Sequence, residues 1–378
     1  MNHRRLHHRR RRGNIVAMTA VLMIVLVAFV ALAVDVGYLY TMRNELQRSA
    51  DSAAIAACWE LCDKDYQAGG NATTLAANAR TKAEQFAALN KVGNCAPGLA
   101  SNDVNVGYMA NPSNPAEPLI STPAGTLPNS VYVRVQRTSA QNGEVPMFFA
   151  RAMGVNQSSM QAEATAALLS GFKGFKVPAD GDTVPILPFA LDEESWNNIS
   201  SGLDNYRYNV STKTVSTGGD SIREVNLFPQ GMGNPGNRGT LDIGSSNNTT
   251  ADIARQIVDG VSPSDLAHHG GELTFDGSGE LHLNGDTGIS AGVKDQLISI
   301  VGKTRIIPIF SVVYGPGNNA DYTIVKFVGV RVMAVKLTGT LSSKYVWVQP
   351  CNIVTKGAIY DGSTNNTERV YSPVWLVR

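Results

Sequence analysis

Residues 15–34 read IVAMTAVLMIVLVAFVALAV, a run of twenty positions with no charge, glycine or proline. At about 1.5 Å per residue, a helix of this length spans about 30 Å, the hydrocarbon thickness of a bilayer. A core helix of similar length normally keeps a polar face, and this run has none. A secretory signal has a shorter apolar stretch, and DVGYLYTMRNELQ after Val34 continues a helical pattern instead of a loose cleavage site. The pattern predicts one retained transmembrane helix over 15–35. A prepilin-type cut after Gly13 is left open as the one processing alternative. The Glu that such leaders carry five residues beyond the cut is Met18 here.

Beyond Asp35 the pattern becomes amphipathic. Leu39, Met42, Leu46, Ala50, Ala53, Ala57 and Leu61 follow one another at steps of 3, 4, 4, 3, 4 and 4. Those steps hold all seven on one face of a helix, and Arg43, Gln47, Arg48, Asp51 and Glu60 fall on the opposite face. The span is therefore expected to continue as a stalk helix. So many alanines require a partner that approaches closely. The protein's own head and other subunits both qualify.

Residues 73–89 form a second helical pattern after Gly69 and Gly70, with Leu75, Ala79, Ala83, Phe86 and Leu89 on one side. Strand-like alternation follows at 103–109, 131–137 and 160–169, with a proline-rich loop at 111–129. Pro146 and Gly154 bracket an expected helix. Residues 36–170 thus read as the stalk and a small α+β module. From 171 to 378 the chain reads as β-rich, with strands at 185–191, 225–230, 272–285, 304–315, 322–339 and 344–354. Two helices are expected there, at 250–259 and 291–300. The class is α+β: a transmembrane helix, its stalk, a small mixed module and a β-rich extracytoplasmic domain.

Charge sets the orientation. Arg4, Arg5, Arg9, Arg10, Arg11 and Arg12 lie within the first twelve residues, which contain no acid. Loops rich in arginine stay in the cytoplasm, so the tail at 1–14 is read as cytoplasmic and the head as exported. Without those six, 26 basic residues face 31 acidic ones, a net of −5. A mildly acidic head argues against nucleic acid as a partner. Asp35 and Gly37 sit at the membrane exit. Asp35 is expected to mark the end of the span, too near the interface to be a buried charge.

Little else points to chemistry. Cys58, Cys62 and Cys95 lie on the exported side, where a disulfide from the stalk to the loop after Leu89 would persist. The pairing is not fixed by spacing, and free buried thiols are the competing reading, Cys351 included. His268, His269 and His282 could hold a metal, but surface histidines in a loop are far commoner, and Asp276–Glu280 has Leu281 where a calcium loop needs Gly. Glu193 and Glu194, being adjacent, point apart and read as a solvated turn. No phosphate loop, dinucleotide fingerprint, nucleophile elbow or zinc-protease motif occurs. No cofactor, metal or catalytic residue is expected.

The N-terminal residues nevertheless form a recognisable series. Arg12-Gly13 precedes the span, Asp35-Val36-Gly37 follows it, and then come Arg43, Leu46-Gln47 and Ala50-Asp51-Ser52-Ala53-Ala54-Ile55-Ala56-Ala57. This series resembles the start of the TadE/TadG-like proteins of the tight-adherence (Flp) pilus-assembly system. A looser likeness lies in VYVRVQR, PMFFARAMG and MQAEATAAL between 131 and 168. Some TadG-like proteins carry a metal-binding Asp-x-Ser-x-Ser. The nearest string here, Asp242 to Ser246, has Gly244 at the middle ligand position, so no metal is carried over.

The resemblance implies a non-enzymatic, single-pass component of the bacterial inner membrane. Its partners would be that membrane and pilus subunits or other envelope proteins, with a homo-oligomer as a further option. A surface adhesin that binds glycan or another cell is the alternative, and an envelope hydrolase with a scattered active site is the weakest reading. Replacing Arg9, Arg10, Arg11 and Arg12 by alanine is expected to mix the topology, as read by reporter fusions at either end. Uniform normal orientation in that variant would remove the charge argument.

Overall fold

The computed structural model describes residues 15–62, 72–123, 128–169, 171–227, 238–245, 248–286, 290–315, 319–360 and 366–378. The arginine tail with Gly13, and the Gly69-Gly70 break, lie outside the described residues. The two periodicities of the N-terminal region merge into one helix, α1 (Ile15–Glu60), of 46 residues. At 1.5 Å per residue it is about 70 Å long. Its first part stands clear of the rest of the molecule, and its second part forms the centre of a core.

That core is built mainly from small residues. α2 (Ala72–Leu89) packs along α1, and both lie on an antiparallel sheet of β1 (Val104–Gly107), β2 (Ser130–Arg137), β5 (Met160–Ala167) and the strand Trp375–Leu376. In the β2–β5 register Val131 faces Ala166, Val133 faces Ala164 and Val135 faces Ala162. These six side chains share one cluster with Ala50, Ala53, Ala54 and Ala57 of α1 and with Ala79, Ala83 and Ala87 of α2. Alanine against alanine lets the helix backbones approach each other and the sheet closely. Dense contact then does the work that large side chains do elsewhere. The buried face of α2 ends at Ala87, four residues beyond Ala83, and Phe86 and Leu89 are exposed instead of joining it.

The bracketed helix at 146–154 is shorter than expected. Pro146 belongs to a two-residue pairing of β3 (Val145–Pro146) with β4 (Gln157–Ser158). Only Ala150–Met153 is helical, as a 3-10 turn, and Gly154 closes it at φ +87°.

The distal part is a sheet that closes on itself. Its strands are β6 (Phe189–Asp192), β7 (Val225–Asn226), β8 (Arg238–Leu241), β9 (Leu281–Asp286), β10 (Thr304–Tyr314), β11 (Ala320–Lys336), β12 (Tyr345–Pro350) and β13 (Thr367–Glu368). The ring runs β11-β9-β8-β6-β10 and back to β11; β12 pairs on the far half of β11 and carries β7. The length of β11 makes this closure work. Against β10 its register skips Val325 and then Ser311, so two successive bulges bend the pair. The bulge at Val325 also reverses the faces of β11: Ala320, Tyr322 and Ile324 enter one core, while Val328, Val330 and Val332 enter the other. Thr249 and Asp252 form a capping box at the start of the helix Thr250–Asp259, which packs on the second core. Glu193 and Glu194 open a short helix capped by Asp192 instead of standing in a turn.

The two parts meet at Leu169 and Ser372, which exchange hydrogen bonds of 3.0 Å, while Tyr371 and Val374 pack on the proximal core. The strand Trp375–Leu376 therefore crosses the boundary that hydropathy placed at 170. Ala53 is wholly buried at the centre of the alanine seam. Ala53→Leu is expected to cost about 1–3 kcal/mol by overpacking. Thermal unfolding of the detergent-solubilised protein checks this, and an unchanged midpoint would mean that the seam is loose.

Candidate functional site

The span at 15–34 is exposed along its length. Within α1 an 18-residue window has mean hydropathy 3.0 and no buried share. Nothing among the described residues covers it, as a lipid-facing helix requires. The site of interest lies where this surface ends.

Asp35 does more than mark that end. It is buried, with only 2% of its surface accessible. Its Oδ1 accepts from the amides of Phe148 at 2.9 Å and Phe149 at 3.2 Å, and its Oδ2 accepts from Phe149 at 3.0 Å and Ala150 at 2.6 Å. Three consecutive amides thus converge on one carboxylate, as at a capped helix N-terminus, but the cap comes from another element. The ring of Phe148 rests edge-on against Tyr38 of α1, with centroids 4.9 Å apart. The expectation of an unburied, marker-only Asp35 is corrected by these bonds, because the 147–155 segment folds back over it. Periodicity gave no sign of this clasp, since its partners are backbone groups more than 110 residues away.

Gly37 has open space where a Cβ would stand, so no described residue requires glycine there. The stripe is placed against the protein's own module. Met42, Leu46, Ala50, Ala53, Ala57 and Leu61 are buried, and Leu39 is partly buried beside them. Polar bonds flank the seam: Glu45 accepts from the amide of Gly93 at 2.7 Å, and Gln47 donates to the Glu163 carbonyl at 3.0 Å. The Arg9–Arg12 tail lies outside the described residues.

Cys58, Cys62, Cys95 and Cys351 are all thiols here. Cys58 lies in the seam with its Sγ 3.8 Å from the Asn129 carbonyl, and burial, with Cys62 nearby, pushes its thiol well up. A protonated thiol is a poor partner for exchange. Cys95 follows the turn that Glu45 holds, thirteen residues or about 20 Å further back along α1 from Cys58. The expected tether between stalk and loop exists, but the Glu45–Gly93 hydrogen bond supplies it.

The sequence missed a polar cluster around Asp103. This wholly buried carboxylate accepts from Arg134 Nη2 at 2.9 Å, Gln136 Nε2 at 3.1 Å, Gln141 Nε2 at 2.7 Å and the Ala100 amide at 2.8 Å. Burial alone would raise its pKa, but these donors hold it below the usual carboxylate range. It ties β1, β2 and the loop after α2 together. Among the described residues, no three His, Cys, Asp or Glu side chains gather as metal ligands. The rings of His268 and His269 meet edge to face, while His282 stands on β9 between Glu280 and Asp321. Asp276 accepts from the amides of Ser278 and Glu280 and forms a turn.

The fold and this exit site define an α+β protein hung on a single apolar N-terminal helix. Residues 13–82 match the family described as putative Flp pilus-assembly TadE/G-like, and residues 56–166 match the one described as putative Tad-like Flp pilus-assembly. The chain is thus similar to TadE/TadG-like pilus-assembly proteins across α1, α2 and most of the proximal sheet, and no catalytic family is indicated. No curated protein and no solved structure matches it.

Two expectations follow. Asp35→Ala frees the amides of Phe148, Phe149 and Ala150, whose hydrogen exchange should quicken about tenfold or more. Unchanged exchange would show that packing alone holds the segment. The lowered pKa of Asp103 contributes stability that is present above pH about 4 and is lost as pH falls through its folded value. Asp103→Asn should cost about 1–2 kcal/mol at neutral pH and flatten the acid limb of the stability profile. An unchanged acid limb would place that sensitivity elsewhere.

Proposed function

We propose that this protein is a non-enzymatic, single-pass component of a tight-adherence (Flp) pilus assembly or related export apparatus. In this reading the tail at 1–14 stays in the cytoplasm, α1 crosses the inner membrane at 15–35, and residues 36–170 and 171–378 stand outside it as a proximal module and a β-rich domain. The observation that carries the reading is a coincidence of boundaries. The residues similar to pilus-assembly families, 13–166, are those that build the anchor, the exit clasp and the alanine seam.

The work of such a protein is positional: it holds a surface at a fixed height and offers it to partners. The stripe from Leu39 to Leu61 is occupied by the head, so contacts with pilus subunits or other envelope proteins fall on other faces. The outer face of the α1–α2 pair is the best candidate. Trp59 and Phe86 stay 43% and 38% exposed there, beside Ile55 and the Glu60–Lys82 pair. Large aromatics beside a charged pair are common at the centre of protein interfaces.

Photo-crosslinking in cells from positions 59 and 86, followed by mass spectrometry of the solubilised envelope, tests this. Pilus subunits or proteins of the secretion platform are expected. Recovery of self-crosslinks alone, or of unrelated envelope proteins, would sink the assembly role and favour the adhesin.

A further inference from the structure

The 147–155 segment leaves an apolar surface that no described residue covers. Phe148, Phe149, Met153 and Val155 are 58%, 49%, 75% and 50% exposed, four large side chains within eight residues. Their height is fixed. Side chains on a helix lean toward its N-terminus, so Asp35 grips the Phe148–Ala150 amides beside the turn that precedes it, the last turn of the apolar span. On α1 the exposed surface continues through Val34, Val36 and Tyr40, at 45%, 56% and 68%. The loop surface and the span surface are therefore neighbours at one level.

The segment is also built for a place poor in water. The amides of Phe148, Phe149 and Ala150 bond to Asp35, and that of Met147 bonds to the Asn156 carbonyl. Ala152, Gly154 and Val155 donate within the turn, to Phe149, Arg151 and Ala150. Satisfied backbone is what entry into a bilayer interface demands. Arg151, exposed, carries the only charge between Met147 and Asn156, and its long stem lets the guanidinium stay at phosphate level while its neighbours sit deeper.

We infer that residues 148–155 dip into the headgroup region of the membrane that α1 crosses, as a second foothold for the head, with lipid as the occupant of this surface. The inference rests on the reading of 15–34 as a membrane span. A single span would leave α1 and the head free to tilt together in the bilayer. Two footholds joined by the Asp35 clasp fix its tilt, and with it the direction in which the distal domain faces.

The test reconstitutes the full chain into vesicles of phosphatidylcholine and phosphatidylglycerol. Benzoylphenylalanine is placed singly at Phe149, Met153, Val25 or Asn114, the last exposed on the proximal module far from the clasp in sequence. After illumination, lipid adducts are counted by mass spectrometry. Adducts at 149, 153 and 25 with none at 114 are expected. Adducts at 25 but not at 149 or 153, or adducts from 149 and 153 to a second copy of the chain, would overturn the foothold and leave the span standing. Loss of adducts at 25 as well would overturn both.

Discussion

A single carboxylate joins the two environments of this molecule. Asp35 stands where a helix stops facing lipid and starts facing protein, and it gathers three successive amides of a segment more than a hundred residues away. Because α1 is unbroken, any force on the head reaches the span through a rigid rod. The clasp sets how far the head can rotate about that rod, and the alanine seam sets how closely it lies against it. Remove the continuity and the proximal sheet loses one wall of its core. Remove the clasp and that sheet keeps its core but loses its reference to the membrane plane.

The sheet and helices above the exit follow from this arrangement. Alanine at 162, 164 and 166 gives β5 a shallow surface, and alanine at 50, 53 and 57 gives α1 a matching one. The distal part solves a different problem. Its long strand β11 serves two cores because the bulge at Val325 reverses its faces midway. That device draws its two cores from residues outside α1.

Much of this was legible in the sequence wherever a period governed it. The steps from Leu39 to Leu61 identified the buried face of α1, and the Thr249–Asp252 box opened its helix where the pattern placed it. What stayed hidden depended on contacts without a period. Asp35 bonds to backbone, and Asp103 draws donors from positions 100, 134, 136 and 141; no spacing announces either. Phe86 and Leu89 fit a helical stripe as well as Ala87 does, and only the neighbouring sheet decides between them. The closed distal sheet was unreadable because bulges at Val325 and Ser311 break the alternation that sequence reading relies on.

The strand Trp375–Leu376 has a consequence in time. It completes the proximal sheet beside β5, where Thr165 donates to the Arg378 carbonyl and accepts from Val377. Synthesis delivers α1, α2, β2 and β5 long before residue 375 arrives. Throughout that interval β5 presents a bare edge, an invitation to wrong pairing with a neighbouring chain. The strand made late is thus the one that seals a sheet begun early, and the opening needs guarding until it arrives.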